Sequence, residues 1–169
     1  MKAGLILLLL ALSACSRQPE APAKAKGTPA NGLEAAAIEA GVIPDPDSSD
    51  ITGLYARDTD RVCIVPATSA YRIGVFVDYG DQHCGGSGVV TRVGETLTLD
   101  FPSAPGCSFD ARFEGDRIAF PGKVPDACAT LCEQRASIAA LNVDRLSESI
   151  SEASTLRDAK GKALCGGAN

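Results

Sequence analysis

The central stretch of the chain, residues 71–79, reads YRIGVFVDY, and every second side chain in it is apolar. Residues 96–101 (TLTLDF) and residues 109–114 (FDARFE) repeat this alternation. Successive side chains of a β-strand point to opposite faces of a sheet, so a period of two predicts strands with one buried face. These three stretches therefore predict a sheet that buries one side and exposes the other.

Short turns join the predicted strands in sequence order. Gly94-Glu95 and Gly115-Asp116 are two-residue hairpin turns with glycine at the position that requires a positive φ, and Asp58–Asp60 is a three-residue turn. Further strands are predicted at residues 53–57, 62–65, 88–93 and 118–120. The fold class is mainly β (α+β), an antiparallel meander of about seven to eight strands that forms a barrel or half-barrel.

Two helices flank the sheet in this prediction. Residues 31–41 (NGLEAAAIEAG) begin with Asn31 as N-cap and end at Gly41, which predicts a short N-terminal helix. Ser147–Lys160 carries an apolar stripe at helical spacing, which predicts a C-terminal helix. Residues 136–146 fit either a helix or a closing strand, and we favour the strand.

The N-terminus indicates export. Residues 1–15 read MKAGLILLLLALSAC, with Lys2 before an apolar run that is too short to span a bilayer. Residues 12–15, Leu-Ser-Ala-Cys, resemble the lipobox of bacterial lipoproteins. The resemblance implies that a diacylglycerol is attached to the Cys15 thiol and that the signal is cleaved before this residue. Ser16 follows where an aspartate commonly signals inner-membrane retention, so we expect a lipid anchor in the outer membrane, facing the periplasm.

The domain organisation follows from these patterns. Residues 16–30 contain proline and alanine but no large apolar residue, which predicts a disordered tether. We expect a signal peptide (1–14), a lipidated cysteine and tether (15–30), a short helix and acidic loop (31–50), one β-rich domain (51–165) and a tail (166–169).

Composition excludes some functions. The chain has 16 basic and 21 acidic residues, a net charge of −5, and this balance predicts no nucleic-acid partner because phosphate binding depends on dense positive charge. It contains one histidine, so an imidazole-rich metal site is excluded, and we predict neither a metal nor another cofactor.

The cysteines support export independently. Seven is an odd number, and lipidation of Cys15 leaves six, which in an exported domain predicts three disulfides. The six are Cys63, Cys84, Cys107, Cys128, Cys132 and Cys165. Folding the hairpin about Gly94-Glu95 brings Cys84 close to Cys107, so we predict that bond. We expect one of Cys128 and Cys132 to hold the sheet and the other the C-terminal segment.

Residues 81–88, DQHCGGSG, form the densest polar cluster. Asp81, His83 and Ser87 are a candidate surface, and a Ser/His/Asp arrangement for hydrolysis is one interpretation of them. Ser87 does not lie in a GxSxG elbow, and it shares one short segment with His83. We favour a glycine-rich turn held by a disulfide, without a catalytic residue.

These observations favour a non-enzymatic envelope protein that binds or inhibits another envelope protein. Its plan of lipobox, tether and cysteine-bearing antiparallel barrel is similar to that of periplasmic lysozyme-inhibitor lipoproteins. One alternative is a lipocalin-like carrier, which requires a cavity for an apolar ligand. A hydrolase that uses the His83 region and a purely structural envelope component are the others.

Overall fold

The computed structural model describes residues 32–45 and 49–166. The barrel lies within one compact unit, which begins at Ala37. The predicted signal peptide, Cys15 and the tether lie outside the described residues, as do Asn31 and most of the predicted tail. Their interpretation therefore rests on the sequence.

Eight antiparallel strands form a closed barrel, which confirms the predicted fold class. Each strand pairs with the next along the chain, and the last pairs with the first. The strands are β1 (Gly53–Arg57), β2 (Asp60–Pro66), β3 (Tyr71–Asp78), β4 (His83–Val93), β5 (Thr96–Asp100), β6 (Ser108–Phe113), β7 (Arg117–Ala119) and β8 (Asn142–Ser147).

Three short helices accompany the barrel within the described ranges. They are α1 (Gly32–Glu39), a 3₁₀ helix (Asp126–Leu131) and α2 (Ile150–Ala153). The helix predicted at residues 31–41 is confirmed, and Gly41 follows it with φ of 67°. None of these helices combines the length and the apolar character that a membrane crossing needs.

The alternating apolar side chains fill the barrel interior. On β3, Ile73, Val75 and Val77 are buried, and on β5 Leu97 and Leu99 are buried between exposed threonines. All of them belong to one continuous core cluster, since closing the sheet turns the apolar face of every strand inward. The period-two prediction is thus confirmed, and the interior is a packed core.

The tight turns are close to the prediction. Gly94 (φ 58°) and Gly115 (φ 84°) each begin a two-residue turn, as expected. The turn between β1 and β2 is shorter than predicted, because Arg57 and Asp60 already pair across the ladder. Asp58 takes the left-handed conformation (φ 48°) there, which aspartate tolerates better than most residues.

Residues 83–88 are not the glycine-rich turn that we predicted; they are the first half of β4, paired with β3 along their whole length. The glycines of this half of β4 let neighbouring atoms approach the strand closely. A Cβ atom on Gly86 would lie 2.9 Å from the Leu131 Cδ2 atom, so glycine admits this leucine into the core. Local sequence cannot reveal that use of glycine, because the contacting side chain is distant along the chain.

The closing strand is shorter than residues 136–146, where we favoured it. β8 begins at Asn142, and Val143 is buried on its inner face. Ala140 before it has φ of 57° and its backbone N–H donates to the Pro121 carbonyl (2.9 Å). Residues 136–141 are therefore an irregular segment, with a turn at Ala139 and Ala140, that leads the chain into β8.

One end of the barrel is closed by residues 49–52. The Arg145 side chain, 10% exposed, lies 5.2 Å from the centre of the Tyr55 ring and donates to the carbonyls of Asp50 and Thr52. The Tyr55 hydroxyl donates to the Ile51 carbonyl (2.8 Å). A cation stacked on core aromatic rings thus holds the segment that enters the barrel.

A second arginine supports this closure. The Arg92 guanidinium lies 4.8 Å from the centre of the Phe113 ring and donates to the Ser49 carbonyl. Arg92 and Arg145 both contact Phe113, the latter at 5.7 Å. Long side chains that begin on two different strands therefore meet over one core ring.

The C-terminal segment, residues 149–166, crosses the outer face of the sheet. Leu164 and Ala153 are buried there with Val65, in a second apolar cluster outside the barrel. The Cys63–Cys165 disulfide fixes the end of the segment to β2. The barrel is therefore covered by protein on this part of its outer surface.

The predicted C-terminal helix, Ser147–Lys160, is much shorter in the structure. α2 has four residues, and Ser149 caps it by accepting a bond from the Glu152 N–H. Farther on, the Asp158 side chain accepts bonds from the backbone N–H groups of Lys160 and Lys162. Such side-chain bonds compete with helical ones and favour a turn, which returns Leu164 to the sheet.

The predicted Cys84–Cys107 bond is wrong. The observed bonds join Cys84 with Cys132, Cys107 with Cys128, and Cys63 with Cys165. Neither Cys128 nor Cys132 holds the C-terminal segment, contrary to expectation.

The hairpin register explains this difference. β5 pairs only with residues 89–93 of β4, so Cys84 lies beyond the end of that ladder. The chain then reverses within residues 101–107, where the Phe101 N–H donates to the Cys107 carbonyl (3.1 Å). Cys107 consequently stays near the end of β5, and Cys132 instead lies directly opposite Cys84 in an isolated antiparallel bridge.

Replacing Gly74 by alanine is expected to destabilise the protein by about 1–3 kcal/mol, the usual cost of overpacking. The added Cβ would lie 2.5 Å from the Leu164 Cβ atom and 2.7 Å from the Cys63 sulfur, both held by the Cys63–Cys165 bond. Urea unfolding measures the change. Gly122→Ala is the control, since nothing lies within 4 Å of its Cβ position. Equal stability of the two variants would contradict the packing described here.

Stability at alkaline pH should depend on Tyr55. Burial raises the pKa of its hydroxyl, so above about pH 10 the unfolded chain loses this proton while the native protein keeps it. The free energy of unfolding should then fall by about 1.4 kcal/mol per pH unit from this residue. Urea unfolding from about pH 9 to about pH 11 should show a shallower fall for Tyr55→Phe. Tyr79→Phe, at an exposed tyrosine, should behave as the unchanged protein; identical slopes in all three would refute the effect.

Candidate functional site

The three candidate residues do not assemble into a catalytic group. His83 and Ser87 both point outward from β4, four residues apart, which separates them by about 13 Å. The Ser87 hydroxyl donates to the Leu164 carbonyl (2.8 Å), beneath the C-terminal segment. Asp81 lies exposed in the loop before the strand. The geometry of a Ser/His/Asp triad is therefore not present among these residues.

His83 contributes instead to a charged surface pocket of about 260 Å³. Its Nε2 atom lies 3.3 Å from the Glu133 Oε1 atom, and the Lys160 Nζ atom lies 3.8 Å from the same oxygen. The imidazole is 19% exposed, and the Phe76 ring lies beside it with 6.2 Å between ring centres. Asp158 also lines the pocket. Groups of both signs thus surround one concavity, an arrangement suited to binding a polar side chain.

One wall of this pocket belongs to a long connection between β7 and β8, residues 120–141, which we call the pinned loop. Two of the three disulfides attach it to the barrel, Cys107–Cys128 at its 3₁₀ helix and Cys84–Cys132 just after it. The backbone N–H of Glu133 adds a bond to the His83 carbonyl (2.8 Å). A loop of this length is usually functional when it has little regular structure.

Buried and exposed side chains alternate along the pinned loop. Leu131 and Ile138 anchor it in the core. Between and beyond these anchors, exposed residues form its outer surface: Ala129, Thr130, Glu133, Gln134 and Arg135. Covalent attachment on both sides of Ala129 and Thr130 fixes their conformation, and a binding surface fixed in advance loses less entropy on association.

A second pocket, of about 250 Å³, lies between the two arms of the pinned loop. Its lining includes Val124, Ala136 and Ile138, so it is more apolar than the His83 pocket. Cys132 lines both pockets. The pinned loop therefore presents a charged concavity on one side and an apolar one on the other, as protein-binding surfaces commonly do.

A wider groove of about 490 Å³ lies near the opposite end of the barrel, between the β2–β3 turn and the end of β4. Arg92 lines it, but its guanidinium is used in the closure of the barrel. We therefore consider the pinned loop and its two pockets to be the candidate site.

The described residues do not form a metal centre: among residues 32–45 and 49–166, no three His, Cys, Asp or Glu side chains are placed to hold an ion. The cysteines in these ranges form disulfides, which leaves their sulfurs without the thiolate charge that zinc requires.

Comparison of the chain with protein-family models, with curated proteins and with solved structures gives no match.

Sequence reasoning found His83 but missed its partners. Glu133 and Lys160 lie 50 and 77 positions away along the chain, and neither belongs to a recognisable motif. The closely spaced Cys128 and Cys132 were the available signal, because two disulfides within five residues mark a fixed loop. The sequence alone did not indicate which part of the barrel this loop is attached to.

Proposed function

We propose that the chain is a lipid-anchored binding protein of the bacterial cell envelope, and that the pinned loop engages a partner protein there. The disulfide pattern is the observation that supports this proposal. The three bonds use the six cysteines from Cys63 to Cys165 and leave Cys15, the cysteine of the lipobox-like sequence, for the lipid. Three bonds also agree with an oxidising compartment outside the cytosol.

The packed interior favours binding at the surface over a lipocalin-like carrier. Tyr55, Leu97 and Phe113 point inward and are fully buried in the core cluster. A carrier would need this volume for its ligand. The candidate surface described above lies outside the core, on a loop that the disulfides hold in place.

We favour a binding or inhibitory role over hydrolysis for the same region. His83 contacts Glu133, while the Ser87 hydroxyl is bonded to the Leu164 carbonyl under the C-terminal segment. The rigid surface around Thr130 offers contacts without requiring a reactive group. Inhibition of a lysozyme is the form of this proposal that the plan of lipobox, tether and barrel favours.

The anchor is tested by Cys15→Ser in the expressing bacterium. We expect the unchanged chain to be recovered from the membrane fraction, with an intact mass that shows loss of residues 1–14 and gain of a diacylglycerol. The variant should lack the lipid and should leave the membrane fraction, because acyl chains supply about 0.8 kcal/mol per buried methylene. Equal masses and equal fractionation, apart from the substitution, would refute the anchor.

The binding role is tested by titrating a c-type lysozyme with the purified full chain and measuring residual cell-wall lysis. Thr130→Arg should weaken inhibition at least about tenfold, because a bulky cation would disrupt the fixed surface. Thr98→Arg is the matched control, as both threonines are exposed and each donates one hydroxyl bond within the chain. If the unchanged chain at micromolar concentration does not inhibit the enzyme, the proposal that it inhibits a c-type lysozyme is wrong. Equal weakening by both variants would contradict the role of the loop.

A further inference from the structure

The three disulfides differ in their exposure to solvent. Cys63 and Cys165 are buried where the C-terminal segment meets β2, and Cys107 and Cys128 are buried at the base of the pinned loop, all four with at most 1% exposure. In the third bond Cys84 is fully buried, whereas Cys132 is partly exposed. This bond is therefore the one of the three that includes a partly exposed cysteine.

Cys132 is also placed where another molecule can approach it. It lines the charged His83 pocket on one side and the apolar pocket of the pinned loop on the other. A thiol that enters either pocket meets Cys132 before the buried Cys84. The rate of thiol–disulfide exchange depends on which sulfur the attacking thiolate can reach.

We propose that the Cys84–Cys132 bond is a site of thiol–disulfide exchange with a dithiol reductant, and that its redox state controls the pinned loop. This reactivity does not depend on the identity of a bound partner, since it belongs to the disulfide itself. The bond is a substrate for exchange in this proposal, and its two cysteines lie 48 positions apart along the chain.

The exchange takes two steps. One thiolate of the reductant attacks the Cys132 sulfur and forms a mixed disulfide, while the Cys84 sulfur leaves as a thiolate and takes up a proton. The second thiol of the reductant then loses its proton and displaces Cys132 as a thiolate, which is protonated in turn. Two electrons pass to the protein, which gains two thiols, and the reductant becomes a disulfide.

Reduction of the Cys84–Cys132 bond affects only one arm of the pinned loop. Cys107–Cys128 still holds the 3₁₀ helix, and Cys63–Cys165 still holds the C-terminal segment. Each strand keeps its ladder, because Cys132 contributes only an isolated bridge. Reduction therefore removes the covalent attachment of the segment after Leu131, which is then held by the Glu133 N–H bond to the His83 carbonyl and by the buried Ile138 side chain, without opening the barrel.

The test is a time course of reduction by dithiothreitol on the full chain as purified, with the free thiols trapped by alkylation and located by peptide mass spectrometry. We expect Cys84 and Cys132 to be labelled at least about tenfold faster than the other four disulfide cysteines, because access limits the exchange rate. Equal labelling rates, earlier labelling of another pair, or no labelling of Cys84 and Cys132 would overturn the proposal.

Two further measurements separate a local switch from unfolding. When only the first pair is labelled, circular dichroism should retain the β-sheet signal; loss of that signal at this stage would overturn a local role. The double variant Cys84→Ser/Cys132→Ser should lack the fast phase, and Cys107→Ser/Cys128→Ser should keep it. If either variant fails to fold, the labelling of the unchanged chain still decides the question.

Discussion

The pairing of β1 with β8 is the constraint on which the structure depends. It joins the first and last strands of the meander, so that no sheet edge is left open. Closure turns one face of every strand inward, and the alternating apolar side chains then form a single core. The register shifts at Leu54 and Tyr55, next to the point where Arg145 of β8 stacks on the Tyr55 ring. The two strands are thus joined by ladder bonds and by this stacked cation.

Different interactions hold the segments that lie at the two ends of this barrel. At one end the chain's own residues 49–52 fill the opening, held by arginines that stack on core rings. At the other end the pinned loop lies across the sheet and is held by disulfides. In the first arrangement the arginines are bonded to backbone carbonyls of the closing segment, whereas in the second exposed polar and apolar groups surround two pockets. This contrast is why we propose the pinned loop as the surface that binds a partner.

Much of the fold was predictable because its cause is local. Alternation along β3 and β5 and glycine at residues 94 and 115 identify strands and turns without distant information. The disulfide partners and the role of Gly86 were not predictable, since both depend on where residues 120–141 are placed. The short length of α2 was not predictable for a similar reason. Its apolar stripe predicts a longer helix, but bonds to the Asp158 side chain and packing on the outer face of the sheet favour a turn. For the site, the sequence indicated His83 and failed to indicate Glu133 or Lys160.

The order of the cysteines has a consequence for biosynthesis. The three bonds are nested, with Cys107–Cys128 inside Cys84–Cys132 and both inside Cys63–Cys165. As a polypeptide emerges with its N-terminus first, Cys63 meets Cys84 before either native partner has arrived. Oxidation in order of appearance would therefore join the wrong residues. Correct maturation requires that oxidation wait for the barrel, or that an isomerase reshuffle early pairs, so production of this protein should depend on the thiol-handling enzymes of its host.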